Sequence, residues 1–146
     1  PDSESRAGRG GFMLVVGGDV DVNSDAMLTL RGGSGGRISD ETGTPVQGGD
    51  GGTLSVQGGR MAVRGGALLD LSGGHAVNRP DEGYVLGGRG GDVRIGGSGH
   101  LVLDGGALFL AGGQGLSPQV IDGPRGTAGR LLVNGGQLTL KRGLVT

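Results

Sequence analysis

Apolar and polar residues alternate with period two along most of this chain, in short stretches punctuated by glycine pairs. The clearest run, Gly51 to Gly74, reads GG-TLSVQ-GG-RMAVR-GG-ALLDLS-GG. Such alternation marks a half-buried strand, since successive side chains of a strand point to opposite faces. A glycine pair lets the backbone take φ > 0, or approach another backbone, without a Cβ penalty. The Gly51–Gly74 run therefore predicts three short strands joined by sharp corners, too closely spaced to pair as hairpins. That is one turn of a triangular coil.

The pattern recurs. A first coil reads GG-FMLVV-GG-DVDVN-SD-AMLTLR-GG, with Ser24-Asp25 standing where the second coil has Gly65-Gly66; a third reads GG-DVRI-GGSG-HLVLD-GG-ALFLA-GG; a fourth reads G-RLLVN-GG-QLTLK-RG-LVT. The coils start at Gly11, Gly52, Gly91 and Gly129, at intervals of 41, 39 and 38 residues. A period of this size is the signature of a repeat architecture. The expected fold is an all-β parallel β-solenoid over 1–146, one domain with three short strands per coil and about four coils. Loops at 34–50, 75–89 and 114–128 lack alternation and contain proline and acidic residues, and they are expected at one corner of each coil.

Alternation also assigns side chains. The inward layers are Met13/Val15, Leu54/Val56, Val93/Ile95 and Leu131/Val133 on the first strand. On the second they are Val20/Val22, Met61/Val63, Leu101/Leu103 and Leu138/Leu140; on the third, Leu28/Leu30, Leu69/Leu71 and Leu108/Leu110, with Leu144 beginning the last. Ala62 and Val102 fall in an outward column with Asp21, and Arg60 and His100 in one with Asp19. Asn23, Arg64, Asp104 and Lys141 form another, whose charges alternate. Corners are expected at Gly17/Gly18, Gly58/Gly59, Gly73/Gly74, Gly112/Gly113 and Gly135/Gly136, with a positive φ in each pair at Gly58/Gly59 and Gly73/Gly74.

Composition sharpens this picture. Glycine supplies 39 of the 146 residues, against about 7% in an average protein, but its uneven pairing excludes a collagen repeat. The in-phase aliphatics argue against disorder. Formal net charge is −1, from 13 basic and 14 acidic residues that are intermixed, and the aromatics are Phe12, Tyr84 and Phe109 alone. Without a basic stripe or a stacking platform, nucleic acid is not an expected partner. Without cysteine there is no disulfide or thiolate site. No apolar run reaches membrane-spanning length.

Candidate chemistry is thin. GGRGGDVRI, Gly87 to Ile95, approaches the calcium-binding repeat GGxGxDxUx at Asp92, yet Arg94 occupies its large apolar position and the period is not nine. A corner turn is the preferred reading, with no cofactor expected and calcium the one weak alternative. Asp19 and Asp21 lie below Arg60 and Ala62, too sparse a constellation for the paired acids of a glycosidase. His75 and His100 lie on different elements without zinc-like spacing. Loop acids Asp40/Glu41 and Asp81/Glu82 read as solvated. Apolar loop residues Val46, Val120/Ile121 and the trio Tyr84, Val85 and Leu86 are read as a second small core if the loops stack, or else as a partner-binding patch.

The rhythm GGRI, GGTLSV, GGDVRI with LTLRGG, LDLSGG and LFLAGG resembles glycine-rich β-helical surface proteins of bacteria, and more broadly the filamentous-haemagglutinin-like exoproteins with their pectin-lyase-like parallel β-helix. The repeated loop of about 16 residues is longer than in the haemagglutinins. The resemblance implies a secreted or cell-surface protein, adhesive or structural and not an enzyme. The alternative is a β-helix that binds or cleaves carbohydrate; an ice-binding array is disfavoured because Thr29, Thr53 and Thr139 do not align. The chain stops within its fourth coil and opens with the polar exit of a loop, so end and start read as complementary. The expected partners are therefore further copies, or flanking coils of a longer chain, meeting through edges that include Met13, Val15, Leu138, Leu140 and Leu144.

Overall fold

The computed structural model describes residues 5–34, 46–77, 87–116 and 125–146, and every regular element in them is a strand. In chain order these are β1 (Ser5–Arg6), β2 (Phe12–Val22), β3 (Met27–Thr29), β4 (Val46–Gln47), β5 (Thr53–Arg64), β6 (Leu68–Asp70) and β7 (Ala76–Val77). Then come β8 (Asp92–Gly96), β9 (His100–Asp104), β10 (Ala107–Phe109), β11 (Gly115–Leu116), β12 (Arg130–Asn134), β13 (Gln137–Lys141) and β14 (Leu144–Val145). Among the described residues there is no helix, hence none long and apolar enough to cross a membrane.

All strand-to-strand pairings among the described residues are parallel. The largest sheet has six strands and curls around β5, which pairs with β2 on one edge and with β8 and β9 on the other; β12 and β13 follow outside these. A second sheet runs β14-β10-β6-β3. Two-stranded pairs β1-β4 and β7-β11 lie within stretches expected to be loops, so the excursions between passes also pair where they leave and rejoin. Each pass of the chain, 10–33, 51–74, 90–113 and 129–146, thus lies beside the next.

The register follows the hydrophobic pattern. Met13, Leu54, Val93 and Leu131 are successive partners, as are Val15, Val56, Ile95 and Val133. So are Val20, Met61, Leu101 and Leu138, and Val22, Val63, Leu103 and Leu140. A one-residue slip would turn each row outward, so the burial itself fixes the alignment. The side chains of the two middle passes, together with Val15 of the first, form the buried core, with Met13, Val20, Val22, Leu28, Leu30, Leu131, Leu138 and Val145 packed against it from the outer passes.

Several expectations are corrected. In the first two passes the first and second strands are not separate: β2 and β5 run through Gly17-Gly18 and Gly58-Gly59 as 11- and 12-residue strands. Val145, not Leu144, stands beside Leu108, and Leu144 pairs with Ala107 on the outward column. Both corners are two residues long, Gly105-Gly106 and Arg142-Gly143, so Leu144 takes the outward position of Ala107 and Val145 the inward position of Leu108. Ala62 and Val102 are buried, although alternation points them outward. Each is short and sits in midsheet between longer neighbours, Arg60 and Arg64 for Ala62, His100 and Asp104 for Val102.

The glycine pairs divide into two kinds. Positive φ occurs at Gly17 and Gly18 (70° each), Gly97 (58°) and Gly135 (80°), and at Gly59, nearly extended at 158°. At the second corner the aligned residues Ser24, Gly65, Gly105 and Arg142 are all left-handed, at 56°, 59°, 76° and 49°. Within the expected corner pair Gly135/Gly136 only Gly135 makes the turn. Gly136 is corrected to a different role: its φ is not positive, and a Cβ there would run into the Ile95 side chain and lie 2.9 Å from Gly99 O. Gly136 is therefore glycine because the pass beneath it is close, with the left-handed step already taken by its neighbour. Gly58 likewise has no positive φ, since it continues β5 beside Val16.

Gly73, Gly74, Gly112 and Gly113 also lack a positive φ, against the corner expectation. They are glycine because backbones touch there: a Cβ on Gly74 would overlap the carbonyl of Gly33, and one on Gly113 that of Gly74. Here the outgoing and returning halves of each excursion meet. Gly33 N–H donates to Gly8 O (2.7 Å), Gly49 to Gly33, Gly74 to Gly49, Gly88 to Gly74, Gly113 to Gly88 (each 2.8 Å) and Gly126 to Gly113 (2.9 Å). This zigzag ladder of backbone hydrogen bonds closes the apolar core on the side of the excursions.

Candidate functional site

The two outer passes carry most of what the fold leaves unsatisfied. Among the described residues, β2 and β3 on one side and β12, β13 and β14 on the other have no strand on their outer edges. An unpaired edge presents a row of free N–H and C=O groups, a template for another strand. Every exposed large hydrophobic among the described residues lies on these two passes: Phe12, Leu14, Val16 and Met27 on the first, and Leu132, Val133, Leu140 and Leu144 on the last. Of the expected edge residues, Leu140 and Leu144 are exposed and Met13 and Leu138 half-buried, whereas Val15 is already inside the core. Val133 and Leu140 keep their inward columns but are uncovered, having a neighbouring pass on one side only.

Charge divides between the same two passes. The first carries Asp19, Asp21 and Asp25 against Arg31 alone, and the last carries Arg130, Lys141 and Arg142 with no acid. Arg142 Nη2 lies 3.4 Å from Asp104 Oδ1, and Arg64 Nε 3.8 Å from Asp21 Oδ1, diagonally across adjacent strands. The column Arg64, Asp104, Lys141 is in register as expected.

A second cluster surrounds Asp92, whose side chain is buried although it starts a strand. Arg89 Nη2 donates to Oδ1 at 2.8 Å, and Arg130 donates through Nε to Oδ1 (3.3 Å) and Nη2 to Oδ2 (3.2 Å), with Arg94 Nη2 at 4.0 Å. The Arg130 hydrogen bonds, with the charges of Arg89, Arg130 and Arg94, hold its carboxyl below the usual range despite burial. Arg89 N–H in turn donates to Asp50 Oδ1 (2.9 Å). Asp92 thus ties the third pass to the fourth, and its acceptors are taken by guanidinium groups, which repel a cation such as calcium. Sequence reading missed this role. Its signal was Arg130, 38 residues on in the same column.

The histidines are also ties between passes. His75 Nδ1 accepts from Gln114 N–H (2.9 Å), and His100 Nε2 lies 2.7 Å from Thr139 Oγ1. Burial, then the charges of Arg31 and Arg125, lower the His75 pKa. Among the described residues no three His, Asp or Glu side chains are grouped to hold a metal ion. A shallow groove of about 500 Å³ runs past Gln57, Arg94, Gly96, Gly97, Leu132 and Asn134. The patch expected at Tyr84, Val85 and Leu86, the acids Asp40, Glu41, Asp81 and Glu82, and Val120 and Ile121 lie outside the described residues, as does the side chain of Val46.

Compared with protein-family models, curated proteins and solved structures, the chain matches none.

Proposed function

We propose that the chain is a β-solenoid whose work is structural: it stacks pass on pass, copy on copy, into a filament, fibre or adhesin stalk outside a bacterial cell. The observation that carries this reading is the constant register. Four passes repeat the same columns, and the outer edge of the last pass is the one that the first pass would continue. A contact between such unlike edges is heterologous and does not close, so it extends into a fibre. The expected result is that purified chain at micromolar concentration sediments as long particles, seen as unbranched filaments by electron microscopy. A folded, monodisperse monomer at all concentrations would refute it.

The groove beside Arg94 supports a second reading, the binding of an acidic glycan. A guanidinium that meets Asp92 only at 4.0 Å, with the amides of Gln57 and Asn134 close by, suits a sugar carboxylate and its hydroxyls. Binding to uronate-containing members of a glycan array, lost in Arg94→Ala, is the result this reading requires.

A further inference from the structure

The exposed apolar residues and the charges of the two outer passes are placed as complements, column by column. Were a second copy to continue the register, Leu132 of one would lie beside Leu14 of the next. Both are exposed, at 43% and 51%, on the outward face. Between them in the same column stand Ser55 and Arg94, so this column is apolar only at its two ends. Leu144, 52% exposed, would likewise meet Met27, 63% exposed. Phe12, 67% exposed, would meet Arg130, whose guanidinium binds Asp92 on its other side. An arginine over an aromatic face is attracted by the ring quadrupole.

The polar columns agree. Lys141 would stand diagonal to Asp21, the relation through which Arg64 already reaches that carboxylate. An acidic first pass thereby meets a basic last pass, whereas two first passes or two last passes would set like charges on adjacent strands. The preference is for unlike ends.

We infer that the partner of each outer pass is a second copy of this chain in unbroken register, with Leu14 against Leu132, Met27 against Leu144 and Phe12 against Arg130. This rests on the stacking reading above and adds its register and polarity. It is testable through the absence of cysteine from the chain. Neighbouring strands lie about 4.8 Å apart, within the Cα separation a disulfide spans. Within one copy, Leu14 and Leu132 are three strand spacings apart, roughly 14 Å, too far to bridge.

The experiment mixes Leu14→Cys with Leu132→Cys under mild oxidation and follows covalent dimers on non-reducing gels. Both positions are exposed, so folding is retained, as circular dichroism will verify. The inference expects the mixture to form dimers at least about tenfold faster than either variant alone, and Leu14→Cys with Thr139→Cys, on another column, to form none above background. Equal rates for the mixture and the single variants overturn the assigned register and polarity. If unsubstituted chain forms filaments but 14–132 dimers do not appear, this register falls while stacking stands. If unsubstituted chain remains monomeric, both fall.

Discussion

At the residue scale, glycine does two different kinds of work here, and substitutions separate them. Gly65 is left-handed at φ 59°, but a Cβ there would find its nearest neighbour, Ser24 N, at 3.6 Å. Gly65→Ala therefore carries only the left-handed penalty, about 1 kcal/mol, and the tolerated Ser24 and Arg142 in that column show it can be borne. Gly74 has an ordinary φ, yet its Cβ would collide with the backbone of Gly33, which cannot rotate away. Gly74→Ala should cost about 3 kcal/mol or more, and paired urea titrations will rank the two. Titratable residues give a second expectation. His75 has its folded pKa depressed below the unfolded value near 6.5, by burial first and then by Arg31 and Arg125. The unfolded state then binds more protons below that pH, so the contribution of His75 is intact above about 6.5 and falls away as pH drops through the folded pKa. Protonation at Nδ1 also ends its bond from Gln114. Asp92, depressed below the ordinary carboxylate value, acts with the same sign at pH below about 3.8. Thermal melts at pH 7.5 and 5 should show a loss of stability in the parent that His75→Gln largely removes; an unchanged loss would clear His75 of the effect.

At the scale of elements, β6 offers the sharpest contrast. Leu69 is fully buried between Leu28 and Leu108, whereas its neighbour Leu68 lies half-buried on the outward column beside Met27 and Ala107. Leu69→Asp places an unpaired carboxylate in the core, a penalty comparable with the whole stability of a small domain. Leu68→Asp should cost about 1 kcal/mol. Far-ultraviolet circular dichroism should find the first variant unfolded and the second folded, and similar melts for both would reverse the assignment of this strand. Strand positions and partners were legible in the sequence because period-two alternation both creates the buried face and fixes the register. Legibility failed where another cause took over. Continuity of β2 and β5 through their glycines depends on curvature, and the glycine ladder on backbone proximity between excursions; neither leaves a period in the sequence. On the two outer passes, the positions of Leu138, Leu140 and Leu144 in the last repeat are legible in the sequence, whereas the exposure of Phe12, Leu14 and Met27 is not. FMLVV is apolar on both faces, the pattern of a strand covered on both sides, and only its place at the edge of the sheet leaves Phe12, Leu14 and Val16 bare. The tie from Asp92 to Arg130 is not legible locally, because the GGRGGDVRI turn shows only neighbours in sequence whereas this partner comes from the next pass.

For the whole molecule, stability should be graded from the middle outward. Each pass touches only its neighbours, so the chain approximates a one-dimensional stack in which inner passes have two interfaces and outer passes one. β5, β8 and β9 lie inside the sheet with strands on both edges, while β2, β12 and β13 have one partner each. Amide hydrogen exchange should then be slowest in the middle passes and faster at both ends, where local opening requires breaking a single interface. Stacking of copies, as proposed, would change only the ends. A partner present at about 100 times its dissociation constant stabilises what it binds by about 2.7 kcal/mol, a roughly hundredfold slowing of exchange. Raising the protein concentration should therefore slow exchange in 12–22 and 130–145 together, and leave 53–64 and 92–104 little changed. Slowing confined to one end would mean like ends meeting, which the acidic first pass and basic last pass oppose. Because that opposition is electrostatic and solvent-exposed, added salt should weaken the polarity: at 1 M, where screening extends only about 3 Å, the proposed apolar contact at Leu14 and Leu132 would remain while the charge preference would be lost. Exchange at the two ends measured across a salt series thus separates the apolar share of the contact from the charged one, and a concentration effect that vanishes entirely at 1 M salt would show that Leu14, Met27, Leu132 and Leu144 contribute nothing to it.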